Sequence, residues 1–417
     1  MNVKIREEKD YFLAYFIDSR RIIGVNEMGA KILDLLFNKE KKIEEIAKSV
    51  ASGYDIPTFE VKADILEFIK HVKEEVSPEK FSIVEQEQLT MPLGVELEIT
   101  TACNLRCKHC FQKDYSNNFL ETEKAIEIIK KLTDNNVFEI SLIGGEPFKH
   151  SGIMEILEFC KEKELAITIV TNGTLLDQEI INQLAEIPRL TLVISLDGTR
   201  EIHDLIRGNN VFDKVESVLK QVVLKGMAVE VTCTLNAINI GHYREVVEYC
   251  ERLDIPCNFN LFKPFKKEQE NLIPAPDVFF GVIVDLLEMR HNKGSKIGLS
   301  NAAIVTELLG LPTRNECRAT LSGLVIDVNG KMVTCPLLAA TGYYEGEELP
   351  AFDDNFLKTW KENKIFNDFR KNGLKECQAR SYIFSGDVKG YDSYGITAFR
   401  EYLQKNNIAD MEIKSVN

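Results

Sequence analysis

Cys103, Cys107 and Cys110 stand in a C-x3-C-x2-C run, Cys-Asn-Leu-Arg-Cys-Lys-His-Cys, directly after the apolar stretch Val95–Thr100. Three thiolates on one short loop sit close enough together to bind three adjacent irons of an iron–sulfur cube. A [4Fe–4S] cluster ordinarily takes four thiolates, so a loop that supplies three leaves one iron open to a small ligand. Zinc is the competing reading, although zinc loops usually come as paired C-x2-C or Cys/His sets with a fourth protein ligand. Reduced thiols in a cytosolic loop are the bland alternative.

With 417 residues, 44% apolar and 28% charged, the chain has the make-up of an ordinary globular protein with room for two or three domains. No apolar run approaches the ~20 residues needed to span a bilayer; Val278–Leu287 is broken by Gly281 and Asp285. The N-terminus lacks the apolar core of a signal peptide, so no membrane partner is expected. A net charge of −14 argues against a broad phosphate-binding face, and hence against nucleic acid. Ten cysteines without a secretion signal point to metal or thiol chemistry in a reducing, cytoplasmic setting.

Residues 1–77 read as their own unit. Tyr11–Ile17 and Arg21–Val25 are β-rich runs around a turn at Asp18–Arg20, and Asn26 is placed to cap a helix with Ala30, Leu33 and Phe37 on its apolar side. Ile43, Ile46, Ala47 and Val50 recur at helical spacing. After the breaks at Gly53 and Pro57, Val61, Ile65, Phe68, Ile69, Val72 and Val76 mark a third helix. Strands followed by three short helices suit a winged-helix-like α+β module. Residues 78–93 are polar and aperiodic, and read as a linker. Beyond them, strands near Val95–Thr100, Phe138–Ile143, Ile167–Asn172, Leu190–Asp197, Val229–Asn236 and Cys257–Lys263 alternate with helical stretches such as Glu121–Leu132 and Ile153–Lys163. That alternation predicts an α/β fold with a parallel sheet.

Further motifs lie at strand ends: Gly144-Gly145-Glu146-Pro147, Thr171-Asn172-Gly173 and Ser195-Leu196-Asp197-Gly198, then His203-Asp204-Leu205-Ile206-Arg207. In this order and spacing, with the cysteine run, the set resembles the radical SAM family over residues 94–265. The resemblance implies a partial, TIM-like (β/α)6 barrel. It also implies a [4Fe–4S] cluster on Cys103, Cys107 and Cys110, with S-adenosylmethionine (SAM) on the open iron. Gly144, Gly145 and Glu146 would then hold the amino group of SAM, with Asn172, Ser195, Asp197 and Arg207 lining the rest of its site. His109 stands where the family usually has an aromatic residue beside the adenine, and an imidazole can still stack there. In the family, one electron reaching SAM through the cluster, from a donor such as flavodoxin or ferredoxin, yields methionine and a 5′-deoxyadenosyl radical. That radical takes hydrogen from an unactivated carbon.

Strand parity then separates wall from lumen. Leu190, Leu192, Ile194 and Leu196 share an apolar face, leaving Thr191, Ser195 and Asp197 inward. Val229, Val231, Cys233 and Leu235 oppose Glu230, Thr232, Thr234 and Asn236; Cys257, Phe259 and Leu261 oppose Asn258 and Asn260. Glu96 and Glu98 face the lumen by the same count, either as solvated charge or in contact with substrate or SAM. Cys233 and Cys257, with the helical Cys160 and Cys250, read as core thiols.

The first module, through Ile23-Gly24-Val25-Asn26-Glu27 leading into Ala30-x-Ile32-Leu33, resembles the PqqD-like precursor-recognition element of peptide-modifying enzymes. Such elements take a leader peptide as an added strand; here the edge would be Arg20–Val25, completed by helix Thr58–Lys73. A DNA-binding winged helix or a packing domain is the alternative. Near the C-terminus, the apolar runs Gly323–Val328 and Lys331–Thr334 flank Asn329-Gly330, a hairpin signal of the I′ type with Cys335 at its exit. Cysteines around a hairpin resemble the auxiliary-cluster region of SPASM and twitch radical SAM enzymes. The fuller SPASM cysteine set is absent: Gln378, Ala379 and Arg380 follow Cys377. One auxiliary cluster on Cys317, Cys335 and Cys377 is therefore expected, its fourth ligand unassigned. Unrelated structural thiols are the other reading.

The expected layout is 1–77 for leader recognition, 78–93 as linker, 94–300 as radical SAM barrel and 301–417 for the auxiliary cluster. Together these imply an enzyme that forms an intramolecular thioether in a ribosomal precursor peptide, of the sactipeptide or ranthipeptide type. A carbon–carbon crosslink is the near alternative. Molybdopterin- or haem-type cofactor biosynthesis, or a non-enzymatic peptide escort or regulator, are the distant ones.

Overall fold

The computed structural model of the protein describes all residues except 1, 76–88, 112–115, 266, 301, 310–316, 373–374 and 409–417. Strands β1 (Val3–Glu7), β2 (Phe12–Phe16) and β3 (Arg21–Val25) form an antiparallel sheet in chain order, leaving β3 on an edge. Helices α1 (Glu27–Leu33), α2 (Ile43–Tyr54) and α3 (Thr58–Glu75) follow, α1 capped by Asn26 through its bond from Gly29 N at 2.8 Å. Alternation along β2 sends Ala14 and Phe16 toward Leu33 and Val72, and Leu13 and Tyr15 toward Leu93, Phe138 and Ala166. The small sheet is thus sandwiched between its own helices and the N-terminal ends of the next strands.

Strand β1 has no counterpart in the sequence reading, because Val-Lys-Ile-Arg-Glu looks like a polar terminus. It supplies the clamp between the two parts. Arg6 and Glu8 form a buried ion pair; Arg6 also donates to the carbonyls of Met91, Pro92 and Asn136, and Glu8 accepts from Thr90 N. Of the expected linker, 78–88 lies outside the described residues. Its end, 89–93, is built in: Leu89 and Leu93 are buried, and their amides donate to Leu321 O and Ser322 O.

The main sheet is built from β4 (Gly94–Thr100), α4 (Thr122–Asp134), β5 (Glu139–Gly144), α5 (Ile153–Glu162), β6 (Ala166–Thr171), α6 (Gln178–Ala185) and β7 (Leu190–Ser195). It continues with α7 (Arg200–Arg207), α8 (Val211–Leu224), β8 (Ala228–Leu235), α9 (Tyr243–Leu253), β9 (Cys257–Leu261), α10 (Pro276–Lys293) and β10 (Ile297–Leu299). After α11 (Ala302–Leu308) come β11 (Gly323–Ile326), β12 (Met332–Val333), α12 (Pro336–Ala340), α13 (Phe356–Glu362), α14 (Lys364–Lys371), α15 (Gln378–Ser385) and α16 (Ile396–Asn406). Among the described residues, nine strands lie in the order β10-β9-β8-β7-β6-β5-β4-β11-β12, parallel from β10 to β11, with only β12 antiparallel. The sheet does not close, as the partial-barrel expectation requires. Its wall-facing side chains, Cys233 and Cys257 among them, merge with those of the helices, which include Cys160 and Cys250, into one apolar core.

The C-terminal hairpin extends this sheet: Gly323 to Ile326 of β11 pair in register with Gly94 to Leu97 of β4. Its turn departs from the I′ expectation. Only Gly330 is left-handed, Gly330 N donates to Asp327 O, and the Asp327 carboxylate accepts from the amides of Asn329 and Lys331. Asp327 captures the loop and makes it a three-residue turn, which needs one left-handed residue where I′ needs two.

Candidate active site

The cysteine loop is held from several sides. Thr101 N and Thr100 Oγ1 donate to Asn118 O at 3.0 and 2.8 Å, and Gly145 N and Glu146 N donate to Thr100 O and Ala102 O, both at 2.8 Å. This approach explains the paired glycines: a Cβ on Gly144 would lie 2.0 Å from Thr100 O, and one on Gly145 2.4 Å from Ala102 O. Gly144 also has φ +145°, a conformation that L side chains rarely adopt. Farther along, Lys108 N donates to Ile206 O at 3.0 Å, tying the loop to α7. Buried Gln269 donates to Lys108 O and Cys110 O at 3.0 and 3.1 Å. Gln269 escaped the sequence reading, since nothing in Lys-Lys-Glu-Gln-Glu distinguishes it from a solvated polar run.

Behind the loop, the Ser-Leu-Asp-Gly and His-Asp-x-x-Arg motifs meet. Arg207 Nε donates to Asp197 Oδ2 at 2.5 Å, and His109 Nε2 lies 3.1 Å from the same oxygen. Asp197 Oδ1 accepts from Thr234 N, its own amide donates to His203 Nδ1, and its carbonyl accepts from Asn239. Burial works against the charge of Asp197, but Arg207 and His109 beside it hold the carboxyl well below the usual carboxylate range. Burial, with Arg207 nearby, pushes the His203 imidazole down to about 4, so it is neutral at pH 7. His109, expected beside adenine, therefore has one ring nitrogen turned to Asp197.

Glu146 and Asn172 are also committed. Fully buried Glu146 accepts from Thr171 Oγ1 at 2.6 Å, Asn172 N at 2.8 Å and Phe148 N at 3.2 Å. Burial raises its pKa against those donors. It braces the ends of β5 and β6 against each other, and among the described residues Oε2 accepts from Asn172 N alone. Asn172 Nδ2 donates to Asn104 Oδ1 at 3.0 Å and to Cys103 Sγ at 3.9 Å, where Leu105 N also donates at 3.4 Å. Ser195, at the end of β7, is buried opposite Thr232.

The three loop thiols are half-buried and feel one another: Cys103 senses Cys110, and Cys107 senses both others. Burial pushes Cys107 up to about 11, with Arg207 opposing, and raises Cys103 against the amide of Leu105. Among the described residues no three His, Cys, Asp or Glu side chains gather tightly enough to hold a single metal ion. Three thiols on one loop, with amide donors aimed at sulfur and a guanidinium behind, fit an iron–sulfur cube better than a mononuclear ion.

Cys317, Cys335 and Cys377 come together from three separate segments, packed around Leu321, Leu338 and Phe369. Burial, reinforced by the neighbouring thiols, pushes Cys317 up to about 12 and Cys335 up to about 11. Lys263, at the exit of β9, and the amides of Leu337 and Leu338 oppose this. Because β11 runs parallel to β4, the Cys317 end of the hairpin lies toward the strand starts, away from the first trio at their ends.

Residues 97–253 match the Radical SAM superfamily, and residues 14–75 match coenzyme PQQ synthesis protein D (PqqD). The mycofactocin maturase MftC of Mycobacterium tuberculosis is 26% identical over 294 residues, covering 68% of this chain and 74% of its own. The antilisterial bacteriocin subtilosin biosynthesis protein AlbA of Bacillus subtilis is 30% identical over 46% of this chain and 44% of its own. Streptococcus suis SuiB, solved bound to its precursor peptide SuiA, superposes with a TM-score of 0.70 at 16% identity, over 94% of this chain and 97% of that one. The chain thus joins a PqqD domain to a radical SAM domain.

Proposed function

We propose that this protein is a radical SAM peptide maturase that forms a thioether, sulfur to carbon, within a ribosomally made precursor. One conjunction carries the reading: a three-cysteine loop at the end of β4, a PqqD domain docked at the strand starts, and a second cysteine trio gathered beside the hairpin that extends the same sheet. MftC, named a mycofactocin maturase, and AlbA, named for biosynthesis of the bacteriocin subtilosin, support the maturase part of it.

On this reading Cys103, Cys107 and Cys110 hold a [4Fe–4S] cluster, and Cys317, Cys335 and Cys377 hold an auxiliary one. When bound, the first cluster and SAM supply a carbon-centred radical that removes hydrogen from the peptide. The chain orients and encloses. Gly144 and Gly145 let the second strand press against the loop, and Arg207, Asp197, His109 and Gln269 hold the loop's far side. Asn172, Ser195 and Oε2 of Glu146 border the SAM pocket. Residues 1–77 take the leader along β3, 94–300 carry the radical chemistry and 301–417 the auxiliary site. A flavodoxin or ferredoxin supplies electrons.

The test is anaerobic incubation of iron- and sulfide-loaded enzyme with SAM, reductant and the precursor peptide encoded beside it. The expected product has lost two hydrogens and one alkylatable thiol. Loss of hydrogens with the thiol still free indicates a carbon–carbon bond instead. An unchanged peptide while SAM is cleaved to 5′-deoxyadenosine overturns the reading.

A further inference from the structure

Of the lumen-facing carboxylates Glu96, Glu98 and Glu230, two are in use. Glu98 Oε2 accepts from Val328 N at 3.3 Å, and Glu230 is bonded by the Asn258 side chain and lies near Arg20. Glu96 differs. Val95 and Leu97, on either side of it, are buried in the wall, so Glu96 points inward, between Val325 of β11 and Ser141 of β5 in register. Water reaches its side chain although protein surrounds it, and no donor among the described residues bonds to it. The one charge acting on it is Arg318. Arg318 follows Cys317 in the chain, and the Cys317 thiol feels Cys335 and Cys377. A free carboxylate therefore stands in the lumen on the side of the second trio.

We propose that Glu96 accepts the proton of the peptide cysteine whose sulfur enters the new bond. This rests on the thioether reading above. A cysteine thiol, with an ordinary pKa of about 8.5, is mostly protonated at pH 7 and must ionise before its sulfur can bond to carbon. The step moves a proton only: S–H breaks with its electron pair left on sulfur, and O–H forms on the carboxylate. The hydrogen leaving the carbon takes a separate route. Glu96 is open to the lumen, and Arg318 favours its ionised form, so a carboxylate is available there to take the proton. Ser141 and Val325, its register neighbours, carry no charge, and Glu98 on its own strand is bonded to Val328.

The experiment compares wild type, Glu96→Gln and Glu96→Asp as full-length, cluster-loaded enzyme with SAM and precursor, reading thioether formed per 5′-deoxyadenosine from pH 6.5 to 9. Wild type is read first; if its product keeps a free thiol, the thioether reading itself fails, and Glu96 with it. With thioether established, Glu96→Gln is expected to lower the ratio by about 10²-fold or more at pH 7. Glu96→Asp should restore part of it. The deficit of Glu96→Gln should shrink as pH passes the thiol's own pKa, where hydroxide does the carboxylate's work. A Gln variant with an unchanged ratio, or a deficit constant across pH, overturns the proposal. So does a parallel loss of thioether and 5′-deoxyadenosine in both variants, which marks a structural role.

Discussion

At the scale of single residues, the site depends on close backbone approach as much as on the thiols. Gly145 lets its strand end press against Thr101 and Ala102, where a methyl group would overlap the Ala102 carbonyl. Gly145→Ala is therefore expected to displace the segment entering Cys103, so that reconstituted protein loses up to about half of the wild-type iron, the share of the first cluster. Its far-ultraviolet circular dichroism should stay near wild type, since the strain is local. Iron and sulfide analysis beside the Cys103→Ala variant checks this. The motifs were legible because each is a short run whose chemistry is local: three sulfurs, two glycines, one acid. Glu146 shows where that legibility ends. Its residue type suits an ammonium ligand, and its oxygens also accept from Thr171, Asn172 and Phe148, which the residue type does not foretell. Which donors reach a carboxylate is decided by the packing of neighbouring strands, and no single stretch records it. Gln269 was invisible for the same reason.

Among the elements, strands β4 to β9 and most helices could be read from periodicity, because an apolar wall and a polar lumen impose a period of two on each strand. Strand β1 could not. Its inward positions include Arg6, and a buried arginine looks like an exposed one until its partners are known. Breaking a fully buried ion pair by removing one member costs about 3–5 kcal/mol, because the other charge is left stranded. Arg6→Ala is expected to lower the unfolding free energy by that order in denaturant titrations, with protection from hydrogen exchange lost first across residues 2–75. If the two parts keep wild-type protection, the clamp lies elsewhere. Arg20 makes a second tie: it donates to Thr168 Oγ1 and Ile167 O at 2.7 Å and to Arg189 O at 3.0 Å, at the entry to β3.

Across the whole molecule, one continuous sheet links the first cysteine trio to the second, because β11 pairs with β4. That continuity was not evident from the sequence, which suggested a separate C-terminal unit; strand pairing over more than two hundred residues leaves no local trace. The PqqD domain, meanwhile, sits under the strand starts, and the first trio lies beyond their ends. On the proposed reading, a precursor anchored on β3 has to cross the full span of β4, seven residues at ~3.3 Å each, or about 23 Å. An extended chain covers that with no fewer than about seven residues. The architecture is thus a ruler with a minimum reading. Deletions that bring the modified carbon within three or four residues of the anchored leader should abolish crosslinking while leaving binding intact, whereas insertions should weaken it only gradually, as tether entropy grows slowly with length.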